Sequence, residues 1–232
     1  MNIGVIPARL HSSRLPEKIL LPVGQHPMVV HVYRKVALAK FIDKIIIAVD
    51  NKKTLDVIGK YGINGYMTDS CHNSGTDRSA EVVKNLDGDI IVNIQGDEPE
   101  IDPKLIDQII SLFKDKSTMM ATAATTDLTQ EDLNNENVVK VKVNKLKHAI
   151  EFSRDPILGN RVFRHIGIYA YRKKMLENFT KLSQTKNEID QRLEQMRALD
   201  NGITIHTIIS NYKGRGIDTI EDYNRLGMKY GT

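Results

Sequence analysis

The 232-residue chain contains a single cysteine, Cys71. One thiol cannot close an internal disulfide, and no zinc-type cysteine spacing surrounds it, so a disulfide framework and a cysteine zinc site are both excluded. We read Cys71 as a buried small residue in a protein of a reducing compartment. Long apolar runs are missing too. The first, Asn2 to Ala8, is too short for a membrane span and reaches Arg9 without a basic leader or a cleavage site, which predicts a cytoplasmic protein with no membrane partner. No repeat, low-complexity tract or Pro- or Gly/Ser-rich linker divides the chain. A single domain over residues 1–232 is expected, with a subdomain inserted at roughly 118–172. Net charge is slight: 33 Lys plus Arg against 29 Asp plus Glu leave +4, with a pI near 9.0. That balance admits anionic ligands, but without a basic run interleaved with aromatics it gives no nucleic-acid partner. At 41% hydrophobic and 27% charged residues the composition is that of a folded globular chain.

What is present begins at the first residues. Asn2-Ile3-Gly4-Val5-Ile6-Pro7-Ala8 has the length and apolarity of a strand, and Arg9, Arg14 and Lys18 follow at once, spaced by His11, Ser12, Ser13 and Pro16. An open α/β sheet binds ligands beyond the carboxyl ends of its strands, so a loop with cations, hydroxyls and backbone N–H groups there suits a polyphosphate. Arg grips phosphate oxygens as a fork and Lys as a mobile point charge. The competing interpretation is a solvated basic loop.

Strand and helix patterns then alternate. A helix is predicted over Pro27 to Lys40, a strand over Lys44 to Val49, a helix over Thr54 to Tyr61 and a short strand over Gly65 to Met67. A helix over Thr76 to Asn85 leads to a strand over Asp89 to Ile94. Such alternation predicts an α/β fold, a Rossmann-like, mostly parallel sheet flanked by helices.

After that last strand come Gln95-Gly96-Asp97-Glu98-Pro99, two adjacent carboxylates where a ligand would sit. Beside a polyphosphate their sensible partner is Mg²⁺, which favours one or two carboxylates together with phosphate oxygens and waters. The alternative is an acidic turn before a helix, and Asp102-Pro103 has that form. Asn73-Ser74-Gly75-Thr76-Asp77-Arg78 reads as a helix cap whose N–H groups could face an anion, or as a purely structural cap.

Beyond Lys116 the pattern turns mixed or antiparallel, with strands predicted at Thr118 to Thr125, Val138 to Val143, Ala149 to Ser153 and Val162 to Tyr171. Lys140 and Lys142 alternate with valines, and we read them as the wet face of a half-exposed strand. Glu188 to Leu199 has helical periodicity, with Ile189, Leu193, Met196 and Leu199 on one stripe. Ile203 to Ile209 alternates as a last strand. Asp218-Thr219 stands either as a cap of the final helix or as a functional acid.

Pro7 to Lys18 resembles the N-terminal signature of sugar nucleotidyltransferases, in particular the family of cytidylyltransferases that activate 3-deoxy-manno-octulosonate (Kdo). Gln95-Gly-Asp-Glu-Pro99 matches that family word for word. Ser74-Gly-Thr-Asp-Arg78, Phe152-Ser-Arg154, Arg164-His-Ile-Gly-Ile-Tyr169, Leu193-Glu-Gln-Met-Arg197 and Ile217-Asp-Thr-Ile-Glu-Asp222 continue the likeness in order. The resemblance implies CMP transfer from CTP to an acidic 2-keto-3-deoxy sugar with Mg²⁺ as cofactor. It implies nucleotide contacts from Pro7, Ala8, Arg9, Ser13, Arg14, Lys18, Ser74, Gly75, Arg78 and Asp97. Arg9, Arg14, Lys18 and Asp97 would be catalytic, and Asp97 and Asp218 the metal ligands. Gln95, Arg154, His165, Tyr169, Glu194 and Gln195 would bind the sugar. It further implies a homodimer, an inserted subdomain that contacts sugar and partner copy, and a role in lipopolysaccharide or capsule synthesis. The chain departs from the family pattern with Glu17 for Gly, Asp77 for Glu and Ile220 for Pro, and with a short loop at Asp155 to Asn160. That loop keeps other acidic acceptors open: an amino-substituted Kdo, a sialic-acid-like sugar or a phosphonate. A non-catalytic nucleotide-binding regulator is the other alternative.

Overall fold

The computed structural model describes residues 1–12 and 14–231. Two compact units form, one from Met1–Asp107 with Gly214–Thr232 and one from Gln108–Lys213. The first opens with β1 (Asn2–Ala8), a 3-10 turn at Lys18–Leu20 and a tiny hairpin of β2 (Pro22–Val23) and β3 (His26–Pro27). There follow α1 (Met28–Val36), β4 (Lys44–Val49), α2 (Lys52–Gly59), β5 (Gly65–Met67), α3 (Gly75–Val83), β6 (Ile90–Ile94) and the start of α4 (Pro103–Ser111), whose residues from Gln108 on belong to the second unit.

Strands β6, β1, β4 and β5 lie side by side in that order, all parallel. Their sequences are continuous apolar runs because a parallel sheet covered by helices has no wet face. Every residue of β6 is buried, as are the last six of β1. Helix α1 buries Met28, Val29, Val32 and Val36 completely. Parallel pairing puts all four carboxyl ends at one edge, so the loops after β1, β4, β5 and β6 gather there.

The second unit contains β7 (Met120–Thr125), α5 (Gln130–Asn134), β8 (Lys140–Val143), β9 (Ala149–Ser153), β10 (Val162–Arg172), α6 (Lys173–Phe179), α7 (Lys186–Gln191), α8 (Gln195–Asp200) and β11 (Ile205–Ser210). Strand β11 runs parallel to β7, while β7 with β10, β10 with β8 and β8 with β9 are antiparallel. The predicted fold class therefore holds: a mostly parallel sheet with flanking helices and a smaller mixed region. From Gly214 the chain rejoins the first unit and ends in α9 (Ile220–Tyr230). Ile217 and Leu226 pack there with Leu15, Val23 and Met28.

Three expectations are corrected. Lys140 is buried, because β8 is paired on both edges and its ammonium donates to the Asn135 carbonyl at 2.9 Å and to the Arg154 carbonyl. Lys142 is the half-exposed one, donating to the Leu158 carbonyl. The helix read over Glu188 to Leu199 is two helices, α7 and α8, separated by Arg192 at φ 53°. The break lets Arg197 fold back onto Glu188, with Nε 2.8 Å from Oε2, and leaves Ile189 exposed. Cys71 is exposed, in a turn where its N–H donates to Asp69 Oδ1. Among the described residues no helix is long and apolar enough to cross a membrane.

Candidate active site

The loop after β1 is pinned by its apolar residues. Leu10 and Leu15 are 5% and 7% exposed. With these two turned inward, Arg9, His11, Ser12 and Arg14 are left to face a cleft of about 310 Å³. The 3-10 turn then starts at Lys18, after Glu17 in a left-handed conformation (φ 51°, ψ 27°). Both Glu17 oxygens meet Lys53 Nζ at 2.6 Å.

Opposite runs the segment leaving β6. Gly96 packs against β1 so closely that a Cβ there would lie 2.7 Å from the Pro7 carbonyl oxygen, so only glycine fits. Gln95, Gly96 and Asp97 thereby reach the cleft, with Pro7, Ile19 and Gly75 in its wall. The C-terminal segment closes against the same place: the Ile217 N–H donates to the Asp97 carbonyl at 2.9 Å, and a Cβ on Gly216 would crowd Glu98 Oε1 at 3.1 Å.

These contacts show which acids cap a helix and which do not, a point the sequence leaves open. Asp102 caps α4, accepting from the Lys104 N–H, whereas Asp97 Oδ2 accepts from Lys18 Nζ at 2.5 Å. Thr219, not Asp218, caps α9 in a capping box with Asp222. Asp218 Oδ1 accepts from Lys18 Nζ and from Arg14 Nη2, each at 3.0 Å. Lys18 is only 8% exposed. Burial works against its charge, but the carboxylates of Asp97 and then Asp218 outweigh it and hold its pKa above the usual lysine value.

Two carboxylates on one buried cation, at the floor of a cleft lined by two arginines, form an anion receptor with acids at its base. The two carboxylates also suit Mg²⁺, a hard cation that takes one or two of them with water and phosphate oxygens completing its shell.

Other predicted nucleotide contacts fall elsewhere. Ala8 is fully buried in β1. The Ser74 hydroxyl caps α3 by accepting from the Asp77 N–H at 3.0 Å, and it donates to Asp77 Oδ2. Arg78 has no exposed side chain and pairs with Asp50 and Thr68. Ser13 lies outside the described residues. His11, Ser12 and Gly96 also line the cleft, the first two from the cationic loop and Gly96 from Gln95-Gly-Asp-Glu-Pro99, beyond the residues that the resemblance assigns.

In the second unit His165 and Tyr169 meet, rings 5.4 Å apart, because β10 bulges. Ile166 pairs with Ala123 and Tyr169 with Thr122, so Gly167 and Ile168 are extra residues and the two rings become neighbours on one face. Thr122 Oγ1 is 2.9 Å from His165 Nε2 and donates to the Ile168 carbonyl at 2.8 Å. Burial, with the Arg164 charge adding, pushes the His165 pKa down to about 3, and burial raises Tyr169 well above the usual phenol value. Gln195 opens α8, 7% exposed, and Glu194 lies 3.9 Å from Arg197. Arg154 Nη1 donates to the Glu136 carbonyl at 3.0 Å.

Residues 3–205 match the sequence profile described as Cytidylyltransferase. A 3-deoxy-manno-octulosonate cytidylyltransferase of Chloroherpeton thalassium is 40% identical over 96% of this chain and 94% of its own length. One of Trichlorobacter lovleyi is 37% identical over 99% of both. The solved structure of a CMP:2-keto-3-deoxy-manno-octonic acid synthetase complexed with CTP superposes with a TM-score of 0.93 at 33% identity, covering 99% of this chain and 98% of that one. On these grounds the chain belongs to the cytidylyltransferase family, within its 3-deoxy-manno-octulosonate cytidylyltransferases.

Proposed function

We propose that this protein transfers CMP from CTP to the anomeric hydroxyl of Kdo, releasing pyrophosphate. The observation that carries the reading is Lys18, buried and held 2.5 Å from Asp97 and 3.0 Å from Asp218 at the floor of a cleft lined by Arg9 and Arg14. The sugar oxygen forms a bond to the α-phosphorus while the bond from that phosphorus to the bridging oxygen of the β-phosphate breaks. The hydroxyl proton leaves to solvent, and pyrophosphate carries away the electron pair. Arg9, Arg14 and Lys18 neutralise the charge on that leaving group. Lys18 is fixed before substrate arrives, so its field costs no reorganisation during reaction. In-line positioning of the two substrates supplies the rest.

Asp97 and Asp218 would hold Mg²⁺, which when bound neutralises phosphate charge and acidifies an oxygen that it contacts. Arg154, His165, Tyr169, Glu194 and Gln195 are assigned to the acidic sugar; the guanidinium fork of Arg154 suits a carboxylate. The same reading makes the protein a cytoplasmic homodimer that supplies an activated sugar for lipopolysaccharide or capsule synthesis.

Pyrophosphate release from CTP with Mg²⁺ tests it, with Kdo, 8-amino-Kdo and a sialic acid as parallel acceptors and Asp97→Ala as control. Release with Kdo that vanishes in the variant is expected. Release with another acceptor alone would reassign the sugar, and silence with all three would contradict the reading.

A further inference from the structure

Leu10 sits between two cleft residues, Arg9 and His11, yet its own side chain is buried. Its backbone N–H is also occupied: it donates to Asp50 Oδ1 at 3.0 Å. Asp50 is the first residue beyond β4. Its second oxygen, Oδ2, accepts from Arg78 Nη2 at 3.4 Å. The Arg78 side chain is 0% exposed and that of Asp50 12%, so the pair is shielded from water. Arg78 Nη1 also donates to Thr68 Oγ1, whose own hydroxyl proton goes to the Val49 carbonyl at 2.9 Å.

Four segments are thus tied at one carboxylate and one guanidinium: the loop after β1, the end of β4, the residue after β5 and the first turn of α3. An N–H donating to a shielded carboxylate makes a charge-assisted bond, stronger and more directional than a neutral one. A shielded carboxylate with a fully buried arginine on its second oxygen gains nothing by swinging away from the amide it holds. Fixing the Leu10 amide and side chain sets the directions in which Arg9 and His11 leave the backbone.

We propose that Asp50 is the positioning residue of this loop: it anchors the Leu10 amide and so aims Arg9 and His11 into the cleft, and Arg78 acts through Asp50 rather than on the nucleotide. The inference rests on the reading of the cleft as a triphosphate site.

The test compares wild type with the double variant Asp50→Ala, Arg78→Met, which removes both charges together and so leaves no unpaired buried ion. Amide hydrogen exchange at Leu10 is measured without nucleotide, and CTP affinity and steady-state kinetics are measured separately. We expect Leu10 exchange at least tenfold faster and kcat/KM for CTP at least tenfold lower, with KM for the sugar unchanged. A general loss of structure would not produce that split. Unchanged Leu10 exchange together with CTP affinity within twofold of wild type would overturn the proposal. If the double variant does not fold, Asp50→Asn decides: Leu10 exchange about threefold faster supports the anchor, and an unchanged rate overturns it. Failure of wild type to bind CTP would instead sink the reading of the cleft, since the exchange comparison uses no nucleotide.

Discussion

Glu17 and Lys53 form an ion pair in which both carboxylate oxygens lie 2.6 Å from the ammonium nitrogen. A carboxylate at residue 17, beside Lys18, would oppose an incoming phosphate. Lys53, at the start of α2, engages that charge. Both side chains are about half exposed, so the pair contributes about 0–1 kcal/mol. Against it stands the left-handed backbone of Glu17, which glycine adopts without penalty, a difference of about 1 kcal/mol. Glu17→Gly should therefore change the unfolding free energy by no more than about 1 kcal/mol and KM for CTP by less than threefold. Urea denaturation and steady-state kinetics check it.

Lys140 and Lys142 alternate along one strand and differ in consequence. Lys140→Met removes both hydrogen bonds of a buried ammonium; the Asn135 carbonyl keeps the Val138 N–H at 3.0 Å but the Arg154 carbonyl loses its lysine donor, and the change should destabilise by about 1–3 kcal/mol. Lys142→Met removes one exposed hydrogen bond and should cost about 0.5 kcal/mol or less. Denaturant midpoints of the two variants separate the cases.

Gly96→Ala places a methyl group 2.7 Å from a backbone oxygen that has no rotamer to escape by. The strain should cost about 1–3 kcal/mol of stability and move Asp97 relative to Lys18. Turnover should fall further than stability alone explains, measured as kcat at a temperature well below the unfolding midpoint.

His165 stays neutral in the folded protein down to about pH 3 and titrates near 6.5 when unfolded. The unfolded chain binds the extra proton between those values, so this group's contribution is fully present above about pH 6.5 and is lost as pH falls toward 3. Unfolding free energy in wild type should drop with falling pH by up to about 1.4 kcal/mol per pH unit more than in His165→Gln. Equal slopes in the two proteins over pH 6 to 4 would show that His165 is charged in the fold.

Much of this architecture is legible from residue order. Lys44–Val49 and Gly65–Met67 are strands over the very residues that the patterns predict, because a β-branched run between turn residues has few other fates. That Arg9, Arg14 and Lys18 and Gln95-Gly-Asp97 gather at the strand ends is readable too, since cations and acids directly after parallel apolar strands are brought to one edge. What sequence could not give depends on long-range pairing. Arg78 is a cation in the first turn of a capped helix, and only the fold shows Asp50, 28 residues earlier, beneath it. The residues between Glu188 and Leu199 keep a helical period, yet the chain turns at Arg192 and the Glu188–Arg197 pair closes across that turn. Gly167 inside a strand pattern was the available hint of the bulge that joins His165 to Tyr169.

Product identity decides the chemistry of the cleft. Protein, CTP, Mg²⁺ and Kdo are incubated and the mixture is followed by phosphorus NMR and mass spectrometry. A CMP–sugar phosphodiester and pyrophosphate should appear in equal amounts, with neither formed by Asp97→Ala. Release of inorganic phosphate without a sugar phosphodiester, or unaltered CTP beside a folded protein, would contradict CMP transfer to the sugar.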